Sequence, residues 1–201
     1  MPQISPDSLL SLEAYARERN AYRSRVIAHK KQRTLHVGEH LTLIFEDEQT
    51  VRYQVQEMLR IERIFEQEGI RGELEAYNPL IPDGGNWKAT MLLEYSDPED
   101  RRRKLAGLKG VEDAAWVQVE GCAKVFAIAD EDLERENEEK TSAVHFVRFE
   151  LDAAMRAALK RDAGLAVGVD HANYQASVTV APEMRRSLVG DLRADLSDGA
   201  A

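Results

Sequence analysis

The sequence predicts an α+β fold, a mixed or mainly antiparallel sheet of hairpins packed against several helices. Three observations carry this prediction. Runs of period two are interleaved with runs of helical period, several strand neighbours are separated by turns too short for a crossover, and proline or aspartate start signals precede the helical runs. Ser5-Pro6-Asp7 is a capping residue followed by proline in a first helical turn, so one broken helix or two short ones are expected from about residue 6 to residue 32. Leu41, Leu43 and Phe45 alternate with Thr42, Ile44 and Glu46 after Gly38, which makes a hairpin with Thr34 to Val37. Gln49 to Glu68 returns to helical period and is expected to stop at Gly69.

Asn78 to Asn86 concentrates turn formers, and Ala89, Met91, Leu93 and Tyr95 then alternate as a strand. Asp97-Pro98 opens another helix. Trp116 to Glu120 and Lys124 to Ala129 form a hairpin about Gly121-Cys122, and Asp130 is expected to cap a short acidic helix. Ala143 to Leu151 alternates as a strand, and Asp152 starts a helix to Lys160. Leu165 to Asp170 pairs with Tyr174 to Val180, and Pro182 starts a terminal helix with a frayed tail over about 193–201. A single domain over 1–201 is expected, the loop around Pro82 being the one internal position where a boundary would fit.

Lys+Arg 27 against Asp+Glu 36 gives a net charge of −9, which repels phosphate backbones and disfavours nucleic acid as the main partner. The one cysteine, Cys122, forms no intrachain disulfide and suits a reducing, cytoplasmic setting. No window approaches eighteen uncharged apolar residues, so no membrane span is expected. Seven basic residues lie between Glu13 and Arg33, and seven acids between Asp130 and Glu139. These segments are either solvated faces or attract one another, within a chain or between the subunits of a homo-oligomer.

Four phrases occur together: Arg25-Val-Ile-Ala-His-Lys-Lys31, Tyr53-Gln-Val-Gln-Glu-Met-Leu-Arg-Ile-Glu-Arg63, Tyr77-Asn-Pro-Leu-Ile-Pro-Asp83 and Glu138-Glu-Lys-Thr-Ser-Ala-Val-His-Phe146. With them the chain resembles, over nearly its whole length, an uncharacterised bacterial family known as domain of unknown function 3501. The resemblance brings no catalytic residues. It implies a genomic setting beside rubrerythrin and an iron–sulfur oxidoreductase, hence an accessory or regulatory binding protein in a peroxide- or iron-related redox system.

The residues themselves raise a second reading, a metal-binding enzyme. On a helix from Gln49 to Glu68, Val51, Val55, Met58, Ile61 and Phe65 share a sector, and Gln54 and Glu62 fall inside it with Glu66 at its edge. A carboxylate among apolar neighbours must be paired, hydrogen-bonded, protonated or metal-bound. An ion pair to Arg23 or Arg25 is one solution for Glu62, and a general base or metal ligand the other. His145 shares the apolar face of its strand with Val147, Phe149 and Leu151. It is either a satisfied core imidazole or a ligand. If Glu62, Glu66 and His145 converge, their donor set suits iron, manganese or zinc. The Glu-x-x-His pairs of di-iron bundles do not occur.

His36-Val-Gly-Glu-His40 fits an inverted zinc-protease string only formally, because Gly38 and the strand that follows deny it a helix. His29 is assigned to a helix C-terminus and His171 to a turn. Asp83-Gly-Gly-Asn-Trp-Lys88 leads into a strand and not a helix, which favours a plain turn over a phosphate loop, and Trp87 and Lys88 are placed at the rim of a pocket or partner surface. Gln54, Trp87 and Lys88 are therefore the candidate binding residues.

Overall fold

The computed structural model describes residues 3–129 and 141–193; the acidic run after Asp130 and most of the expected tail lie outside them. A 3-10 turn at Pro6–Ser8 leads into helix α1, Leu12–Lys31, which is one continuous helix capped by the Ser11 hydroxyl. Strands β1, Thr34–Val37, and β2, Leu41–Phe45, form the first hairpin. Helices α2, Glu48–Glu62, and α3, Gln67–Tyr77, follow, then β3, Asn86–Leu93, and α4, Pro98–Ala106. Strands β4, Ala115–Val119, β5, Lys124–Phe126, β6, Ile128–Ala129, and β7, Val144–Glu150, precede α5, Ala153–Lys160. Strands β8, Leu165–His171, and β9, Tyr174–Thr179, lead to α6, Pro182–Val189.

The strands form two antiparallel sheets, ordered β1-β2-β3-β7-β6 and β5-β4-β8-β9, so the fold is α+β. Alternation decides what each sheet buries. Leu43, Phe45, Trp87, Met91 and Phe149 from the first sheet meet Val117, Leu165 and Val167 from the second in one large apolar cluster. The chain passes from one sheet to the other at Ala127, between β5 and β6, and Ala127 N–H still bonds Ala115 C=O at 2.8 Å. A second, smaller cluster lies among the helices: Val51, Val55 and Leu59, four apart on α2, pack with Leu74, Ile81 and Ile4.

Helix start signals behave as local chemistry requires. Asp97, Asp152 and Asp47 each accept a bond from a backbone N–H three residues on, and Pro98 and Pro182 occupy first-turn positions where no donor is lost. One expected helix is two. α2 ends at Glu62 because Arg63 takes a left-handed conformation (φ 56°), and Gly69, the expected stop, lies inside α3. The chain turns at this corner, which leaves Ile61 and Phe65 exposed instead of facing the core.

Candidate functional site

The outer face of the five-stranded sheet lies under the helices α2 and α3 and the Asn78–Leu80 turn, and a groove runs between them. Thr42, Ile44 and Glu46 carry the parity opposite to the core residues of β2. Ile44 pairs with Thr90, and Thr90 with Phe146, so these three form a row across the sheet. In the neighbouring row Glu46 N–H bonds Lys88 C=O at 2.8 Å, and Lys88 pairs with Arg148.

Three adjoining hollows make up the groove. The first, of about 240 Å³, is lined by Lys30, Ile44, Glu46, Gln54, Tyr77 and Thr90 among others. The second, of about 210 Å³, shares Leu80 and Phe146 with it and adds Lys88, Ile128 and Arg148. The third, of about 560 Å³, shares Pro79 and Lys88 with the second and reaches Ile4, Arg71 and Leu74. A few polar groups on a floor between apolar walls is the usual make-up of a small-molecule site.

Glu46 is 8% exposed. Burial of its charge is offset by two hydroxyls, Thr50 Oγ1 donating to Oε2 and Thr90 Oγ1 donating to Oε1 at 2.6 Å. Each carboxylate oxygen keeps a further lone pair for a donor brought in by a ligand. On the next strand Lys88 Nζ donates to Pro79 C=O at 2.5 Å. Burial holds this ammonium below its usual pKa; Asp83 and Glu150 oppose the shift and Arg148 adds to it. Lys88 is thus a partly desolvated donor on the strand next to the one that leads into Glu46.

Of the expected binding residues, Gln54 and Lys88 line this groove. Trp87 does not. It is 1% exposed, its indole N–H donates to Leu188 C=O at 2.9 Å, and its ring meets Phe45 edge-on in the core. The reason is parity: Trp87 is in phase with Ala89, Met91 and Leu93, which face inward. Glu46, Thr90, Phe146 and Arg148 were outside the candidate set, because a period-two pattern marks them as outward without revealing that helices lie over them.

The carboxylate and imidazole candidates do not come together. Glu62 is exposed at the last position of α2 and Glu66 is exposed at the cap of α3, a consequence of the break at Arg63. The acid of α2 that is partly buried and multiply partnered is Glu57 instead. It accepts from Arg19 Nε and from the Tyr15 hydroxyl, both at 2.7 Å, and from Arg60 at 3.2 Å. Arg25, an expected partner for Glu62, lies over the Tyr22 ring.

His145 is buried as expected, 2% exposed, but in the sheet core. Its Nε2 is 3.0 Å from both Thr141 Oγ1 and Ser142 C=O, and Nδ1 is 3.7 Å from Glu112 Oε1. Among the described residues no group of three or more His, Cys, Asp and Glu is placed to hold a metal ion. His29 bonds Asp47 Oδ2, His171 Nε2 meets Lys109 C=O at 3.0 Å, and Cys122 is half-buried against the core. No helix among the described residues is long and apolar enough to cross a membrane.

A family model described as "Protein of unknown function (DUF3501)" matches residues 3–192. Among solved structures, the chain is similar to a novel protein of unknown function from Burkholderia pseudomallei K96243, with 53% identity and a TM-score of 0.91. That similarity covers 96% of this chain and 100% of the other. No curated protein matches the chain.

Proposed function

The chain belongs to the DUF3501 family, and on that premise we propose that it is a ligand-binding accessory protein whose small-molecule site is the groove between α2–α3 and the outer sheet face. One observation carries the reading: Glu46, just after β2, and Lys88, on β3, share the outer face and line adjoining hollows, and among the described residues the Glu46 carboxylate and the Lys88 ammonium hydrogen-bond only to uncharged groups. Two opposite charges lining adjoining hollows, between apolar walls, suit a ligand that places a donor at one end and an acceptor at the other. The family resemblance supports a peroxide- or iron-related redox setting, with rubrerythrin and an iron–sulfur oxidoreductase as the partners to test.

The direct test is a thermal-shift screen of a metabolite panel on the wild type and on Leu80→Trp, which fills the junction of two hollows. A compound that raises Tm for the wild type and not for Leu80→Trp supports the groove. A panel that leaves Tm unmoved counts against it. Crosslinking in native extracts addresses the accessory role; recovery of neither redox partner removes that part of the proposal.

A further inference from the structure

We propose that the hollow between Lys88 and Arg148 takes the anionic head of a small organic acid, with the acid's apolar body lying along Leu80, Ile128 and Phe146. This deepens the groove reading and rests on it. Lys88 and Arg148 are direct cross-strand partners on the outer face. Like charges placed opposite one another destabilise a sheet, so the pair is unfavourable in the empty protein. Lys88 Nζ has a carbonyl, Pro79 C=O, as its hydrogen-bond partner, and no ion pair is formed at that amine among the described residues. Burial and the Arg148 charge weigh against its protonated form, with Asp83 and Glu150 opposing them. Arg148 Nε is engaged by Glu150 Oε1 at 2.7 Å, one of five donors that a guanidinium offers.

An anion seated between the two cations offsets the repulsion and supplies a direct ion-pair partner for the amine, and a carboxylate matches the guanidinium fork. The side chains of Leu80, Ile128 and Phe146 beside the pair are apolar. Ile128 pairs with Arg148 on the far side and is one of the exposed large hydrophobic residues, so it offers contact area beside the head group. At about 210 Å³ the hollow holds about seven non-hydrogen atoms on the scale of ~30 Å³ per water.

Pentanoate has that size, and pentanamide is its uncharged isostere. Thermal shift is measured with the full chain in pentanoate, pentanamide, acetate and inorganic phosphate at equal ionic strength, for wild type, Lys88→Met and Lys88→Arg. Pentanoate is expected to raise wild-type Tm by roughly 3–6 °C at ten times its Kd, to fail with Lys88→Met and to recover with Lys88→Arg. Ligand-free Lys88→Met is expected to melt no lower than wild type, since it loses the repulsion.

A pentanamide shift equal to that of pentanoate overturns the anion assignment and leaves the groove standing. A shift as large with acetate or inorganic phosphate overturns the apolar-body assignment. A pentanoate shift that persists in Lys88→Met overturns the site. If no probe and no compound of the wider panel moves Tm, both readings fall together.

Discussion

The Tyr174 hydroxyl stands 2.6 Å from where a Cβ on Gly38 would be. It donates to Val37 C=O at 2.7 Å and accepts from the backbone N–H groups of His40 and Leu41, both at 3.1 Å. One phenol from β9 thereby satisfies three groups of the β1–β2 turn and joins the two sheets at the edge opposite Ala127. Gly38 has φ +74°, so a side chain there is strained as well as obstructed.

Tyr174→Phe keeps the ring and deletes the bonds. It leaves up to three partly buried backbone groups without a partner, and a loss of about 1–3 kcal/mol is expected. Gly38→Ala adds the φ penalty and displaces the same hydroxyl, so it is expected to lose at least as much. Urea unfolding measures both. If Gly38→Ala is as stable as wild type, the turn does not depend on this close approach.

Trp116 and Gly168 are cross-strand partners in the second sheet, and the indole lies over the glycine with Lys124 Nζ 3.9 Å from its ring. A Cβ at residue 168 would fall 2.3 Å from Trp116 Cζ2 and 2.7 Å from Ala176 C=O. The second obstacle is backbone, which cannot swing aside. Gly168→Ala is expected to cost about 1–3 kcal/mol and to change near-ultraviolet circular dichroism through the displaced indole. Gly72→Ala, where a Cβ meets nothing, is the control and is expected to be neutral or slightly stabilising in its helix.

Much of the fold was legible because its signals are local. Asp97-Pro98, Asp152 and Pro182 mark helix starts through their own side chains or rings, and inward parity is carried by every second residue of β2, β3 and β7. The break at Arg63 was not legible, since an arginine in a left-handed conformation has no compositional mark, while Gly69 offered a false one. That single misplaced helix end accounts for Glu62 and Glu66 being expected inside. Lys88 was a candidate from its place at a loop edge and Gln54 from its helical sector, and both line the groove. Glu46 was not a candidate, because period-two parity marks it as outward, and only the way α2 and α3 fold back over the sheet covers it.

Glu57 ties α2 to α1, and its carboxyl is held down to about 2, first by the Arg19 hydrogen bonds, with Arg60 and Tyr15 adding to them against the penalty of burial. Its folded pKa lies below the unfolded value of 4.5. The stability it contributes is therefore present above about pH 4.5 and is lost as pH falls toward 2. Glu57→Gln is expected to be less stable than wild type at pH 7 and to show a flatter acid limb below pH 4.5 in urea unfolding. Equal acid limbs in the two proteins would remove the assignment of this pair as an acid-sensitive tie.

Asp191 shows the opposite sign. Arg33, 1% exposed, donates through Nη2 to Asp191 and to Glu46 C=O and through Nε to Phe45 C=O, with Asp47 Oδ2 3.5 Å from Nε. Burial pushes the Asp191 carboxyl up to about 6 despite this guanidinium, with Asp47 adding to the rise and His29 opposing it. The folded state thus binds a proton more tightly than the unfolded chain, whose value is near 3.8. The stability from that proton is full below about pH 4 and declines as pH rises through about 6, by on the order of 2–3 kcal/mol. Asp191→Asn cannot titrate, so its unfolding free energy is expected to lack this decline between pH 4 and 7, while the Glu57 limb below pH 4.5 persists. Urea unfolding across pH 3–8 separates the two groups. A variant that keeps the full wild-type slope between pH 4 and 7 would show that the proton resides elsewhere than on the carboxylate that anchors the end of α6 to Arg33.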